Sequence, residues 1–593
     1  MSAQYVIGID LGTTNRVLAY AALSEDKPQV QVLPIPQLVS ANTLESRPVL
    51  PSFLYLATKE EIVAKAYNAP WSTSVSEAVG YAARSLSAEF PERTVGAAKS
   101  WLCHSKVDRH QSILPWQAPD SVAKISPVTA SQRYLEHLIA AWQQAFPESP
   151  IRDQQVVLTV PASFDASARE LTREAALNAG LPDSFVLLEE PQAATYAWLS
   201  GVGDRWRRLL NVGDRLLICD IGGGTTDLTL IEVAEESGEL TLQRAAVGNH
   251  LLVGGDNMDL ALAHFVAQLF EQKGLHLDPW QSISLWHSCR NAKEALLAGT
   301  GPDSQTISVP GRGSRLIGGL VSVTVDRNAA TDLLLDGFLP TAQLSSKPTK
   351  SRAGFREIGL PYESDTGITR HLAVFLQQSL GGNGLTHVLL NGGVFKSHAL
   401  RARLLQQLQE WFPQNAPKLV EGAEDLDFSV ARGACFYGWT KQRGGVRIRG
   451  GTARSYYVGI ETAGLAIPGI GRPLKALCVV PAGMEEGTET AVPSESIGLI
   501  VGEAARFRFF SSPVRNSDRP GELLSRWSQD EISETDSLEA TLPAAESTDD
   551  EYVPVKFHSR ITELGVLELW CVHESEDKRW KLEFSVRDDV EAT

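Results

Sequence analysis

The sequence has no segment long and apolar enough to suggest a membrane span. No run of about 18 or more apolar residues occurs, and the chain enters a predicted strand at YVIGI (5–9) without a basic stretch or cleavage site before it. We therefore predict a cytoplasmic protein without a membrane partner.

Paired cysteines are also missing. The six cysteines are scattered, with no C-x-x-C pair and no histidine cluster at metal-ligand spacing. They are predicted to be reduced, buried thiols, which argues against a zinc site.

Positive charge is scarce. Lys and Arg number 54 against 71 Asp and Glu, which leaves a net charge of -17, and no basic stripe is present. Nucleic-acid binding needs a concentrated basic face, so no nucleic-acid partner is expected. Hydrophobic residues at 43% and charged residues at 21% are typical of a folded chain, and 593 residues predict two or more domains.

The order of predicted elements divides the chain into three parts. Residues 1–443 alternate β-rich runs with helical patterns, which is typical of an α/β domain. Residues 444–451 (GGVRIRGG) are a predicted linker in which Val446 and Ile448 alternate with arginines, as in a short strand. Residues 452–593 have the pattern of a small β-sandwich.

Individual elements can also be predicted. Strands are expected at 5–9, 155–160 and 216–221, and helices from the N-cap Asp165 to Gly180 and near 258–273, 281–298, 368–380 and 397–412. A surface insertion is expected at 341–366 and a mobile acidic loop at 528–552.

Two glycine-rich hairpins carry the first chemical signal. The stretch IGIDLGTTN (7–15) is an apolar strand that ends in a carboxylate, followed by a glycine and two hydroxyls. Such a tip exposes backbone N–H groups to phosphate, and the carboxylate can hold a hydrated Mg²⁺. D-x-G alone also marks ordinary hairpin turns. The plan recurs in LICDIGGGTTDLTLIEV (217–233), so we predict two homologous lobes with a nucleotide between them.

A third glycine element follows a strand in VLLNGGVFKSHALRARLL (388–405). Glycine there allows the backbone to approach a flat ring closely. A Walker-type phosphate loop is absent from the sequence, because Lys99-Ser100 and Lys396-Ser397 lack the glycine that must precede the lysine. Phosphate binding must therefore use the hairpins.

Taken together, these stretches resemble the seventy-kilodalton heat-shock (DnaK-type) chaperones of the actin, hexokinase and heat-shock ATPase superfamily. VVLTVPASFDASARELTREAALNAGL (156–181) and LLEEPQAATYAWL (187–199) add to the match, as do the shorter GGDNMD (254–259) and VARGAC (430–435). The resemblance spans residues 5 to about 440. It implies an α/β fold with an actin-like two-lobed ATPase domain built from ribonuclease H-like repeats, followed by a small β-sandwich module.

The resemblance also implies site residues. Asp10 and Asp220 are expected to hold Mg²⁺ through water, Lys99 to contact the γ-phosphate and attacking water, and Glu190 to position that water. The residues expected to bind ATP or ADP are Asp10, Gly12, Thr13, Thr14, Gly222, Gly223, Gly224, Thr225, Thr226, Asp227, Lys293, Gly392 and Gly393, with Lys99, Glu190, Asp220 and Thr225 catalytic. Pro161 and Arg169 match the family's interdomain switch.

The chain also departs from the family pattern. The helix RNAKEALL (290–297) keeps Lys293 but has Arg290 and Leu297 where the family prefers an acidic residue and a serine. The acidic, leucine-rich linker of the family is replaced by the basic GGVRIRGG. The family's helical lid has no counterpart after residue 586, so a divergent member without a lid is expected.

Three functions fit these observations. The first is a chaperone-type ATPase whose nucleotide state regulates the β-sandwich module, with unfolded peptide or a folded protein as client and a J-domain-type co-chaperone and a nucleotide exchange factor as partners. The second is a small-molecule (sugar-type) kinase of the same superfamily, and the third is an ATP-gated interaction or scaffold protein with little hydrolysis. The appended module disfavours the kinase, and Lys99 with Glu190 favours hydrolysis over the scaffold.

Overall fold

A computed structural model gives the structure of the chain. It describes residues 3–71, 76–104, 107–236, 238–249, 251–309, 321–349, 360, 362–444, 446–452, 454–461, 474–500, 504–528, 531–535, 537–541, 552–562 and 566–584.

Most of the elements that precede residue 190 are short strands, and the longest elements there are helices. In chain order they are β1 Tyr5–Leu11, β2 Asn15–Ala22, β3 Gln31–Val32, β4 Ile35–Ser40, β5 Thr43–Arg47, β6 Leu50–Pro51, β7 Leu54–Leu56, α1 Lys59–Val63, β8 Glu77–Val79, α2 Tyr81–Leu86, β9 Thr94–Val95, α3 Ala98–Leu102, α4 Pro127–Ala145, β10 Gln155–Val160, α5 Ala166–Ala179 and β11 Val186–Glu189.

Helices dominate the next segment, up to residue 443. The elements are α6 Glu190–Val202, α7 Trp206–Leu209, β12 Arg215–Ile221, β13 Thr226–Glu236, β14 Glu239–Val247, α8 Gly255–Gln272, α9 Pro279–Leu297, β15 Ser304–Val309, β16 Val321–Asp326, α10 Arg327–Phe338, α11 Ile368–Ser379, β17 His387–Asn391, α12 His398–Trp411, β18 Lys418–Leu419 and α13 Ser429–Arg443.

Among the described residues after 443, the regular elements are all strands. These are β19 Ile448–Arg449, β20 Ser455–Glu461, β21 Leu474–Val480, β22 Glu489–Ala491, β23 Ile497–Ile500, β24 Ala504–Phe507, β25 Phe509–Ser512, β26 Leu523–Leu524, β27 Ser533–Glu534, β28 Leu538–Thr541, β29 Tyr552–Ile561, β30 Leu567–His573 and β31 Arg579–Phe584.

The predicted strands and helices of the α/β part are confirmed. Helix α5 begins after the N-cap Asp165, whose carboxylate accepts from the N–H of Ala168 at 2.8 Å, and it ends at Gly180 with φ of 100°. A left-handed residue at that position stops a helix, and glycine adopts it without strain. Helices α8, α9, α11 and α12 lie close to the predicted bounds.

Two sheets repeat one plan. In the first, with strand order β11-β10-β1-β2-β3, β1 pairs antiparallel with β2 and parallel with β10. In the second, with order β18-β17-β12-β13-β14-β19, β12 pairs antiparallel with β13 and parallel with β17. The predicted internal repeat is therefore present, and each copy places a hairpin tip at the carboxyl end of a central strand.

Helices α6 and α13 pack between the two sheets. One hydrophobic core joins side chains of both sheets, such as Val157 and Ile218, to Ala193 of α6 and Ala434 of α13. The helices cross closely at Gly433, where a Cβ atom would lie 1.7 Å from the carbonyl oxygen of Ala193. Only glycine allows the two backbones to approach in this way.

The C-terminal strands form two further sheets, with orders β26-β21-β20-β25-β27 and β22-β29-β30-β31-β28-β24, the latter with β23 on β29. Both contribute to one core, which contains Val458 and Leu477 from one sheet and Phe557 and Leu569 from the other. Ala166 of α5 packs against this core. The C-terminal strands are thus in contact with the α/β part.

Two loop predictions change in the structure. The expected mobile loop at 528–552 contains β27 and β28, because Ile532 and Leu538, at 2% and 1% exposure, are buried among its acidic residues. The overall acidity of the segment hid these two apolar residues, so the prediction was wrong for Ser533–Glu534 and Leu538–Thr541, while 529–530, 536 and 542–551 lie outside the described residues. Of the expected insertion at 341–366, residues 350–359 and 361 also lie outside them. Within the described part of the chain, no helix is both long and apolar enough to cross a bilayer.

Candidate functional site

The first hairpin tip is fixed by hydrogen bonds from Ser52, which directly follows β6. Ser52 donates its hydroxyl to the carbonyl of Gly12 at 2.8 Å, and its N–H donates to the carbonyl of Thr14 at the same distance. A Cβ atom on Gly12 would lie 2.3 Å from the carbonyl oxygen of Asn15, so the turn requires glycine. Asp10 stands at the start of this tip, near the hydroxyl of Thr159.

The second hairpin tip meets the first. A Cβ atom on Gly223 would lie 2.0 Å from Oγ1 of Thr14, and one on Gly224 would lie 3.0 Å from Cγ2 of Thr13. The N–H of Gly222 donates to the carbonyl of Thr225 at 2.9 Å, which closes the turn. The two predicted phosphate-binding tips therefore lie against each other, and both line one cavity.

Four carboxylates and one lysine surround this meeting point. Asp10, Glu190, Asp220 and Asp227 line the same cavity as Lys99. The pKa of Asp220 is raised to about 7, mainly by burial. A hydrogen bond from Asn391 lowers this pKa, and the negative charges of Asp227 and Asp10 raise it further. Burial likewise raises the pKa of Asp10, opposed most by Lys99.

Lys99 and Glu190 form a buried ion pair, although they lie 91 residues apart in sequence. The pKa of Glu190 is raised to about 8, mainly by burial. The positive charge of Lys99 lowers this pKa, and the negative charges of Asp10, Asp220 and Asp227 raise it further. Burial disfavours the charge on Lys99, but Glu190 and then Asp10 outweigh it and raise the pKa of this lysine. Lys99 thus keeps its charge at the centre of the cleft.

The donor set fits a hydrated Mg²⁺ ion with phosphate. Mg²⁺ prefers oxygen ligands and keeps several waters, and Asp10 and Asp220 offer carboxylate oxygens at the two hairpins. Gly12, Gly222 and Gly223 of the two tips line the same cavity, where backbone N–H groups can bind phosphate oxygens.

The cleft continues from the hairpins to the end of α9 and the turn after β17. It has a volume of about 570 Å³ and its lining includes Lys293, Gly392 and Gly393. Gly392 has φ of 91°, and a Cβ atom there would lie 2.2 Å from the carbonyl oxygen of Ile221. The third glycine element is thereby brought to the same cavity as the two hairpins.

Two neighbours of the carboxylates were not predicted. Asn391 donates its amide to Asp220 Oδ2 at 2.7 Å, and the hydroxyl of Ser163 donates to Asp227. Asn391 stands directly before Gly392-Gly393 and Ser163 directly after Pro161-Ala162, so both lie in stretches already singled out. Their partners are distant in sequence, which is why their contacts were not foreseen.

Thr226 has a different place from its hairpin neighbours. It is fully buried, and its hydroxyl donates to the carbonyl of Val253 at 2.7 Å. This hydroxyl stabilises the contact between β13 and the segment before α8, so Thr226 is not part of the proposed phosphate site.

Gly224 lies against Thr13 and Ser100, at the contact between the two hairpin tips.

Pro161 is buried directly after β10, and Arg169 lines a cavity together with Gly450, Gly451 and Tyr456 of the linker and the C-terminal strands. Arg169 pairs with Glu189 at 2.8 Å, and Glu189 also pairs with Arg244. Arg244 in turn donates to the carbonyls of Gly450 and Gly451 at the end of the linker. Attraction from both arginines outweighs burial and lowers the pKa of Glu189.

Comparison with known proteins agrees with this geometry. Residues 6–333 match the family model described as "Hsp70 protein", more than half of the chain, so the chain belongs to the Hsp70 family. The α/β part is accordingly an actin-like two-lobed ATPase domain, the type that binds ATP or ADP with Mg²⁺ in this family.

A relative in that family is "Chaperone protein DnaK" of Stenotrophomonas maltophilia (strain R551-3). It is 27% identical over 297 residues, which are 49% of this chain and 42% of the relative. The match thus spans less than half the length of this curated relative.

Proposed function

We propose that the chain is a chaperone-type ATPase that binds and hydrolyses Mg-ATP and uses its nucleotide state to regulate a C-terminal β-sandwich binding module. The observation that carries the proposal is the meeting of two glycine hairpins around Asp10, Asp220 and the Lys99–Glu190 pair in one cavity. This arrangement combines a phosphate cradle with placed charges, which is what phosphoryl transfer requires of a protein.

The residues have separate roles in this proposal. Thr13, Thr14, Thr225 and the backbone of Gly222–Gly224 bind phosphate oxygens, and Asp227 orients Thr225, whose hydroxyl lies 3.2 Å from it. Asp10 and Asp220 hold Mg²⁺ through water, and the ion supplies positive charge beside the phosphates. Lys99 stabilises the charge that develops on the departing γ-phosphoryl group.

Glu190 has a role of its own, since it is the carboxylate paired with Lys99. It positions the attacking water, and Lys99 holds the carboxylate in place. The nucleoside lies against Lys293 and Gly392-Gly393 in the same cavity.

Asp10→Asn is expected to remove most of the thermal stabilisation by Mg-ATP. A ligand bound only to the folded cleft stabilises the protein by about 2.7 kcal/mol at 100 times its Kd, and the amide no longer offers a charge to Mg²⁺. The measurement is the melting temperature with millimolar Mg-ATP or Mg-ADP. Asp26→Asn is the matched control, because the Asp26 side chain is fully exposed at 100%. An unchanged melting temperature of the unmodified protein with either nucleotide would refute the cleft assignment.

The proposed coupling rests on contacts between the cleft and the C-terminal strands. Ser163, which donates to Asp227 in the cleft, accepts a 3.4 Å hydrogen bond at its backbone carbonyl from Arg454. Arg454 also lies 3.3 Å from the hydroxyl of Ser511 in β25. A shift of Asp227 on hydrolysis would therefore reach β20 and β25 through two residues.

The linker supplies a second route. Strand β19 adds parallel to the edge of β14, with Ile448 opposite Leu242, and the N–H of Ile448 donates to the hydroxyl of Tyr196 at 2.9 Å. Ile448 is 8% exposed, whereas Arg447 and Arg449 point to solvent. We propose 1–443 as the nucleotide domain, 444–451 as this linker and 452–593 as the binding module. The expected partners are a peptide or folded client, a J-domain-type co-chaperone and an exchange factor.

Ile448→Asp is expected to uncouple the two parts. Burial of an isoleucine side chain stabilises a contact by about 1.5–3 kcal/mol. A carboxylate at this position would lose that contribution and would be costly to bury, so β19 would separate from the edge of β14. In the unmodified protein, protease cleavage within 444–451 should differ between ATP and ADP, and the variant should be cleaved equally fast with both. Arg449→Ala is the control on the same strand, since its pair with Glu236 is exposed. Equal cleavage of the unmodified protein in ATP and ADP would remove the basis for coupling through the linker.

A further inference from the structure

A buried arginine adjoins the first hairpin tip. Arg16 is the second residue of β2, and in the register of the hairpin it stands opposite Leu11, the residue that follows Asp10. Its neighbour Asn15 lines the cavity of the proposed nucleotide site. Arg16 itself is only 1% exposed, so a positive charge is buried directly beside the tip that is expected to bind phosphate.

The guanidinium of Arg16 is partnered by an aromatic ring rather than by a carboxylate. Its Cζ lies 3.5 Å from the centroid of the Tyr134 ring, which is fully buried. Among the residues that the structure describes, Nε and Nη1 of Arg16 have no hydrogen-bond partner, and no carboxylate lies within 4 Å of the guanidinium. A buried charge costs free energy unless a partner offsets it, and a cation–π contact offsets only part of that cost.

The ring against Arg16 is part of what fixes the tip. The Tyr134 hydroxyl donates to the carbonyl of Ser52 at 3.4 Å. Ser52 in turn donates its hydroxyl to the carbonyl of Gly12 and its N–H to the carbonyl of Thr14. Arg16 is therefore connected to the backbone of the first tip through two buried residues.

The charge of Arg16 also acts on the carboxylate of the tip. Burial lowers the pKa of Arg16 to about 10, and Tyr134 and Asp10 act in the opposite direction, so the guanidinium stays protonated at neutral pH. Burial raises the pKa of Asp10, and the cations that oppose this rise are Lys99 and then Arg16. Lys99 is paired with Glu190, whereas Arg16 has no ion pair within the described part of the chain.

We propose that Arg16 is a second cation of the nucleotide site, and that the phosphates offset its buried charge when a nucleotide binds. The inference rests on the nucleotide site proposed above and adds to it a residue that lies behind the lining of the cavity. In the free protein the charge of Arg16 costs free energy, and a bound anion lowers that cost. The contribution of Arg16 to affinity should therefore grow with the negative charge of the ligand.

The test compares Arg16→Met with Arg16→Lys in the full chain. Methionine keeps an unbranched side chain against the Tyr134 ring but carries no charge, whereas lysine keeps the charge. Calorimetry gives the Kd of each protein for Mg-ATP, for Mg-ADP, which carries less negative charge, and for adenosine, which carries none. Thermal unfolding without ligand gives the stability of the free protein.

The expected result is a graded loss of affinity. A unit charge that acts over about 10 Å at an effective dielectric constant of about 20 changes a Kd roughly tenfold. Arg16→Met should weaken the binding of Mg-ATP by about that factor, that of Mg-ADP less, and that of adenosine by less than about twofold. Its melting temperature without ligand should equal or exceed that of the unmodified protein, because an unpaired buried charge is removed. Arg16→Lys should retain most of the affinity for Mg-ATP.

A matched control separates charge from support of the tip. Tyr134→Phe removes the hydrogen bond to Ser52 and keeps the ring against Arg16, so it should change the Kd of all three ligands by a similar factor. The same uniform change in Arg16→Met would overturn the inference, because Arg16 would then act only through the packing of the tip.

The remaining outcomes are equally distinct. Unchanged affinities in Arg16→Met would overturn the role of Arg16 and leave the nucleotide site intact. Arg16→Gln provides a second neutral side chain, and failure of both neutral variants to fold would contradict the expected stability of the free protein. Failure of the unmodified protein to bind Mg-ATP or Mg-ADP would refute the nucleotide site itself.

Discussion

Lys99→Ala is expected to bind Mg-ATP nearly as well as the unmodified protein and to hydrolyse it at least about tenfold more slowly. Lys99 is 5% exposed, and Glu190 and Asp10 keep it charged despite its burial. In the proposed mechanism its charge matters most as the γ-phosphoryl group departs, whereas ground-state binding draws on the backbone of both hairpins and on Mg²⁺. Binding and chemistry should therefore separate.

Phosphate release in a single turnover measures the chemical step, and the melting temperature with Mg-ATP measures binding. Glu190→Gln should slow release to a similar degree, and the double variant should be little worse than either single one, because paired residues act as a unit. Lys27→Ala, at an exposed position, is the control. Turnover at the unmodified rate in Lys99→Ala would contradict the role assigned to this lysine.

Gly433→Ala is expected to prevent stable folding. The new Cβ atom would lie 1.7 Å from the carbonyl oxygen of Ala193 and 2.8 Å from the nitrogen of Ala197, both in the backbone of α6. Helices cannot yield as a flexible side chain does, so α6 and α13 would have to separate, and the core between the two sheets would open with them. Overpacking typically costs about 1–3 kcal/mol and occasionally more. Because both clashing atoms belong to a helix backbone, we expect the cost here to exceed that range and to approach the about 5–15 kcal/mol that stabilises a whole domain.

Thermal or urea unfolding of the purified protein, or its absence from the soluble fraction, measures this effect. Gly337→Ala is a matched control within helix α10, since a Cβ atom there meets nothing within 4 Å. That change should leave stability the same or raise it by up to about 1 kcal/mol. A Gly433→Ala protein as stable as the unmodified one would show that α6 and α13 do not cross in this way.

The carboxylates and glycines of the two hairpins were predictable because they lie in contiguous stretches of the sequence. Asp10, Gly12 and Thr13 belong to one turn, and Asp220 begins its repeat, so strand, glycine and carboxylate could be seen together in the sequence. Family resemblance then supplied Lys99 and Glu190, and the structure brings them together. Composition was a poorer guide, as the acidic segment with buried Ile532 and Leu538 shows.

The contacts that join distant segments were not predictable. Arg84 meets Glu294 across 210 residues of sequence, and Arg244 meets Gly450 across 206. The sequence around a charged helix residue is the same whether its side chain is solvated or paired. The residues near Arg84 therefore do not indicate that it pairs with Glu294.

The sequence by itself determined the elements, the hairpin tips and the types of charge at the proposed phosphate site, because strand alternation, helix caps and glycine turns depend on neighbouring residues. Only the tertiary structure decided which charges are paired, and therefore which remain available to a ligand. Arg290, one of the two departures from the family pattern on α9, is engaged by Asp256 and Asp259, and Glu294 of the same helix is engaged by Arg84. Pairing depends on the packing of segments far apart in the chain, and burial makes the pairing decisive, since a buried charge costs free energy unless a partner offsets it.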